Sequence, residues 1–113
     1  MSGTLNKVIL IGRLGADPEI KYTNSGIAVG NFNIATNETW TDKITTQKQE
    51  KTEWHRIVCW NKLAEIVGQY MKKGQVVYVE GRIQSREYEA DGGIKKKVYE
   101  IVASEVKMLG SKS

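Results

Sequence analysis

The sequence predicts an all-β fold, a small five-stranded barrel that carries one helix. Three observations lead there. Short segments rich in β-branched and aromatic residues alternate with Gly, Asn and Asp turn signals along most of the chain. Only Lys62 to Lys73 shows apolar residues at helical spacing. That helix falls between the third and fourth of the five main strand segments.

The elements follow in order. Asn6 to Arg13 is a short apolar, β-branched run, which reads as a strand buried on both faces at a subunit contact. Gly15 to Pro18 is a turn holding the sole proline, and Glu19 to Thr23 is a short strand piece. Asn24 to Gly26 is a turn signal. Ile27 to Thr36 is the next strand, where the small residues Ala28, Gly30 and Ala35 suggest close backbone approach or strong curvature. Asn37 to Thr52 is polar and reads as a long mobile hairpin loop carrying Trp40. Glu53 to Trp60 is a strand. In the helix, Leu63, Ile66, Val67, Tyr70 and Met71 form one stripe, closed by Lys72, Lys73 and Gly74. Gln75 to Ala90 and Ile94 to Leu109 are long strands joined by a tip at Asp91 to Gly93. This order matches the OB-fold, a partly open Greek-key barrel. Another small α+β domain with the same element count is the alternative.

The 113 residues make one domain, expected over 1–109, with a short polar end at 110–113. Net charge is +4, from 17 Lys and Arg against 13 Asp and Glu. Such a mild excess permits a polyanionic partner without proving one. The single cysteine, Cys59, excludes an intrachain disulfide and fits a reducing compartment. The N-terminus lacks signal- and transit-peptide patterns, and no apolar run approaches spanning length. The chain reads as cytoplasmic, with no membrane partner.

Aromatic residues interleaved with cations carry the functional signal. Trp54, Arg56, Val58 and Trp60 share one face of their strand, and His55, Ile57 and Cys59 share the other. On the strand after the helix, Arg82, Gln84, Arg86 and Tyr88 share a face. Rings that stack bases beside cations that meet phosphates suit an unpaired nucleic-acid strand. The bland alternative puts Trp54 and Trp60 in the core, but an Arg between two core tryptophans would itself need burial and pairing. Trp40, with Lys43, Lys48 and Lys51 nearby, reads as an arm that closes over a bound strand, or as a plug folded onto the barrel. Lys95, Lys96 and Lys97 suit either a nucleic-acid contact or an edge protected from aggregation.

Catalysis is poorly supported. His55 and Cys59 lie four residues apart on one strand, about 13 Å, too far for a nucleophile–base hydrogen bond. One His and one Cys make no ordinary zinc site. Gly12 and Gly15 lack the remaining residues of a phosphate-binding loop. No cofactor and no metal are expected.

Four blocks bear a resemblance: Asn6 to Glu19, Thr52 to Val58, Lys62 to Glu65 and Tyr78 to Gly81. Together they resemble the bacterial replicative single-stranded DNA-binding proteins, over about Leu5 to Leu109. The resemblance implies an OB-fold homotetramer that wraps and protects single-stranded DNA, without sequence preference, in replication, recombination and repair. The family's stacking aromatics fall on Trp40, Trp54, Trp60 and Tyr88, with Trp60 where Phe is common and Tyr88 where Trp is common. Its basic contacts fall on Lys7, Lys43, Arg56, Lys62, Lys73 and Arg86. Gln84 and Glu87 stand where basic residues are often found, which implies weaker binding by that arm. Asn6, Val8, Leu10, His55 and Tyr78 are the implied oligomer contacts. Family members usually continue into a flexible linker and an acidic tail that recruits replication and repair proteins. The sequence ends at Ser113, so either the chain is truncated or it resembles tail-less relatives of the mitochondrial matrix. Rival readings are a primosome-type protein-interaction module and an RNA-binding domain of the cold-shock kind.

Overall fold

Barrel closure begins in the first strand, which changes partners along its length. The computed structural model describes residues 3–110. Strand β1 (Val8–Leu14) pairs antiparallel with β5 (Val76–Ala90) from Val8↔Gly81 to Arg13↔Val76. At its end it also joins β3 (Ala28–Thr41), through Arg13↔Ala35 and Leu14↔Ile34. Gly12 permits the crossing, since a Cβ there would lie 2.7 Å from the Ala35 carbonyl oxygen. β3 pairs with β4 (Lys48–Trp60), and β5 pairs with β6 (Ile94–Gly110). A short parallel contact, Ile57↔Ile101 and Val58↔Val102, closes the ring between β4 and β6. The circuit β1–β5–β6–β4–β3–β1 is a closed five-stranded barrel, as the sequence predicts. The small β2 (Glu19–Tyr22) is a flap on the edge of β3.

The interior follows from strand pleating. Ile34, Ile57, Cys59, Val77 and Val79 are fully buried and point into the barrel. Burying an Ile or Val side chain contributes about 1.5–3 kcal/mol relative to leaving it exposed. Burial pushes the Cys59 thiol up to about 11, so it is a neutral packing group, with its Sγ 3.7 Å from the Gly30 carbonyl.

Helix α1 (Asn61–Tyr70) plugs one end of the barrel. Its buried line is Ala64, Val67 and the capping Met71, whereas Ile66 and Tyr70 of the expected stripe are exposed. The helix is turned toward its small residues because Ala64 and Gly68 allow close approach to Gly30 and Ile20. The helix also ends earlier than the sequence suggests: Met71 is already extended, and Gly74 takes φ +90° to re-enter the barrel.

Two further expectations are corrected. The segment from Asn37 to Thr52 is no loop, because the β3–β4 ladder runs unbroken to Thr41↔Lys48. Trp40 therefore sits on a strand, in an arm whose turn spans only residues 42–47. β1 is buried on one face rather than two, with Ile9 and Ile11 more than half exposed, because no second layer covers the outside of the barrel. The expected polar end, apart from Gly110, lies outside the described residues.

Asp42 organises the arm's turn. Its Oδ1 accepts hydrogen bonds from the N–H groups of Ile44 (2.8 Å) and Thr45 (3.1 Å). These bonds hold its carboxyl below the usual aspartate value, with the Thr45 contact the larger cause. A carboxyl depressed in the folded state contributes stability above its unfolded value of 3.8, and that contribution is lost as pH falls through the folded value. Amide NMR of the turn should therefore show Ile44 and Thr45 shifting below about pH 3.8 while barrel amides hold. Coincident shifts in turn and barrel would contradict this.

Candidate nucleic-acid interface

Pleating that buries Ile57 and Cys59 turns Trp54, Arg56, Val58 and Trp60 outward. Strand register carries this face sideways. Trp54 lies opposite Ala35, Arg56 opposite Asn33, Val58 opposite Asn31 and Trp60 opposite Val29. Val58 also pairs with Val102, and Val102, Glu100, Val98 and Lys96 lie opposite Arg82, Gln84, Arg86 and Tyr88. Residues paired in register share a face. One outer surface therefore spans β3, β4, β6 and β5. It carries Trp54 (57% exposed), Trp60 (45%) and Tyr88 (44%), which places neither tryptophan in the core.

Trp54 is supported from below. A Cβ on Gly15 would lie 2.6 Å from Cζ3 and 2.7 Å from Cη2 of its indole, so the ring rests on bare backbone. Trp60 ends β4 and is the residue before helix α1, where Asn61 turns the chain with φ +60°. The two rings are six residues apart, roughly 20 Å along the strand.

Arg56 is the central cation. It lines a hollow of about 380 Å³ shared with Asp17, Lys21, Asn31 and Asn33. It also lines one of about 410 Å³ with Arg86, Tyr88 and Val98. A third, of about 310 Å³, lies between Trp60, Gln84, Arg86 and Glu100. Arg86 donates from Nε to Oε1 of Glu100 at 2.6 Å, and Glu100 is buried while Arg86 is half exposed. Flat rings, open hollows and a free guanidinium can stack bases and meet phosphates.

The remaining predicted residues do not all gather here. Trp40 pairs with Gln49 and is in phase with Ile34 and Thr36, so it projects from the opposite face of the β3–β4 arm. Lys43 lies in that arm's turn, and Lys62 in the first turn of α1. Lys73 follows the helix, its N–H donating to Asp17 at 2.8 Å beside the β1–β2 connection. Lys7 pairs with Glu80 at 3.6 Å on the β1–β5 side.

The implied oligomer residues also divide. Val8 and Leu10 pack against the core. Asn6 exchanges two side-chain hydrogen bonds with the Ile83 backbone, at 2.8 and 2.9 Å. His55 Nε2 lies 2.9 Å from Thr36 Oγ1. Tyr78 faces outward beside Ile11 and donates to Glu80, which raises the phenol's pKa and lowers the carboxyl's. Sequence reasoning missed Gly15, Asn31, Asn33 and Glu100. The asparagines alternate in phase along β3 and could have been read there, but Gly15 and Glu100 needed tertiary register.

Comparison with known proteins fits this geometry. Residues 5–109 match the model of the Single-strand binding protein family. The chain belongs to that family. The single-stranded DNA-binding proteins of two Neisseria meningitidis strains, of serogroups A and B, are each 59% identical over 110 residues. Those matches cover 97% of this chain but only 63% of the relatives, so the chain spans somewhat under two thirds of their length. Among solved structures, the Plasmodium falciparum SSB complex with ssDNA superposes with a TM-score of 0.88 at 36% identity, covering 97% of this chain and 99% of that one. A deletion mutant of the single-stranded DNA binding protein from Thermus aquaticus gives 0.82 at 35% identity, covering 97% and 53%.

The support under Trp54 is testable alone. With Trp40→Phe and Trp60→Phe leaving one indole, Gly15→Ala should lift the Trp54 ring. Its fluorescence anisotropy decay should then gain a fast component. An unchanged decay would mean the Gly15 contact does not hold the ring.

Proposed function

We propose that this protein binds single-stranded DNA without sequence preference, wrapping and protecting it during replication, recombination and repair. One observation carries the reading: Trp54, Arg56, Trp60 and Tyr88 share one continuous outer face of an OB barrel. Family membership and a neighbour solved with single-stranded DNA support it. Stacking is tolerant of sequence because every base has a π-face. Lys43, Lys62, Lys73 and Lys7 lie away from this face and would extend the path of the backbone beyond it, and Trp40 would engage DNA passing round the β3–β4 arm. The role is binding, not catalysis, and it belongs where the DNA is, in the bacterial cytoplasm with the nucleoid. Residues 1–109 would form the DNA-binding and oligomerisation domain.

Titration with oligothymidylate should quench tryptophan fluorescence saturably, and affinity should fall steeply with salt as counterions are released. Trp54→Ala should weaken binding by about 1–3 kcal/mol. A folded Trp54→Ala protein that binds as tightly as the parent would refute the stacking role.

Self-association into a homotetramer is part of the same proposal. β1 pairs fully with β5, but on its other edge it meets β3 only at Arg13 and Leu14. Ile9 and Ile11 are exposed beside Tyr78, and the adjacent hollow of about 340 Å³ includes Leu10, Thr36 and His55. An open strand edge flanked by apolar residues favours pairing with a second copy. Sedimentation should show Ile11→Lys shifting the protein toward smaller species. An unchanged mass would move the interface elsewhere.

A further inference from the structure

The binding face contains a carboxylate where a polyanion would pass. Glu100 is only 6% exposed, sits mid-face on β6, and lies opposite Gln84 and one step from Val98 and Val102. Its Oε1 accepts from Arg86 Nε at 2.6 Å. Arg86 remains half exposed beside Tyr88 and Arg56. Among the described residues Arg56 joins no salt bridge, and Glu100 is the sole buried charged residue.

We infer that Glu100 masks Arg86: it neutralises that guanidinium within the binding face, so Arg86 adds almost nothing to the electrostatic affinity for a polyanion. This rests on the proposed single-strand binding and deepens it, by sorting the cations of the face into free and committed ones.

The argument is one of charge and counterions. A cation contributes to salt-dependent affinity when the phosphate it meets sheds a condensed counterion and the cation brings uncompensated charge. A phosphate approaching Arg86 meets a pair of zero net charge. To bind that guanidinium it must either break a short charge-assisted bond, stranding a buried carboxylate, or accept the repulsion of Glu100. Arg56, by contrast, joins no salt bridge and opens to the same groove, where Glu100 on one side and Asp17 and Glu19 on the other line hollows with it at longer range. Glu100 thus acts as a tuning residue. It holds the Arg86 side chain against β6 as a neutral wall beside Tyr88, and leaves stacking to dominate on the β5–β6 side.

The test is the salt dependence of oligothymidylate binding in the full chain carrying Glu100→Gln, which keeps shape and hydrogen bonding but removes the charge. One unmasked phosphate contact should steepen the slope of log K against log salt by about 0.7. Referred to 1 M salt, that slope makes the variant about 15-fold tighter at 20 mM and about 3-fold tighter at 200 mM. Adding Arg86→Gln to Glu100→Gln should remove the gain. An unchanged or shallower slope in a folded Glu100→Gln protein overturns the inference, and weaker binding would recast Glu100 as the residue that positions Arg86 for phosphate. Persistence of the gain without Arg86 also overturns it, because the carboxylate would then act through the general field. If the parent itself does not bind, the functional reading falls first. If the parent binds with a salt slope and the variant matches it, only the masking falls.

Discussion

The period-two pleat of β4, locked by its neighbours on both sides, is the constraint on which the rest depends. Ile57 and Cys59 are drawn inward by burial, and β3 and β6 fix their register. Trp54, Arg56 and Trp60 then have only the outer surface available. A slip of one residue would exchange the sets, putting two indoles and a guanidinium into a barrel filled by Ile34, Val77 and Val79. The core thus secures the interface by excluding it, and the same hydrophobic term that folds the barrel orients its stacking face.

The period-two phase explains what the sequence made legible. Alternation within β4 and β5 is local, so Trp54 with Arg56 and Arg86 with Tyr88 could be grouped without coordinates. The fold class was legible too, because element order and a single helix suffice for an OB barrel. What escaped depended on contacts distant in sequence. The polar composition of residues 37–52 resembles a loop, but Thr and Gln also suit a strand with both faces in water, and cross-strand pairing decides between them. Trp40 acquires a face only once that pairing is known, and it is the one opposite to Trp54. Large apolar residues suggest one stripe on α1, yet the packing line follows Ala64 and Gly68, where a small side chain lets the helix approach. Glu100 looked like any strand carboxylate until register placed it beside Arg86.

Electrostatics divides the face in two. On the β3–β4 side, Arg56 stands with Asn31 and Asn33 between two tryptophans, in a hollow that Asp17 and Lys21 edge. On the β5–β6 side, Arg86, which lines a hollow with Tyr88, is tied to a buried carboxylate. Net charge of the chain is a poor guide to such a surface, because it records neither where the charges sit nor which cations are paired.

The division also follows mechanical support. Trp60 adjoins the fully buried Cys59, and Trp54 pairs with Ala35, the neighbour of the fully buried Ile34, and rests on Gly15. Trp40 and Tyr88 stand on arms whose residues are mostly exposed on both faces, since the ladders there continue beyond the core. Backbone hydrogen bonds without apolar burial give low local stability, so arms open at far smaller free energy than the barrel. A base stacking on Trp54 meets a surface already ordered by folding. One stacking on Trp40 or Tyr88 must also order the arm, and that entropy is subtracted from the stacking gain. If the rings stack bases as proposed, equal rings on one molecule are unequal sites: the barrel rings would set affinity for a short strand, and the arm rings would come into use once a longer strand is held.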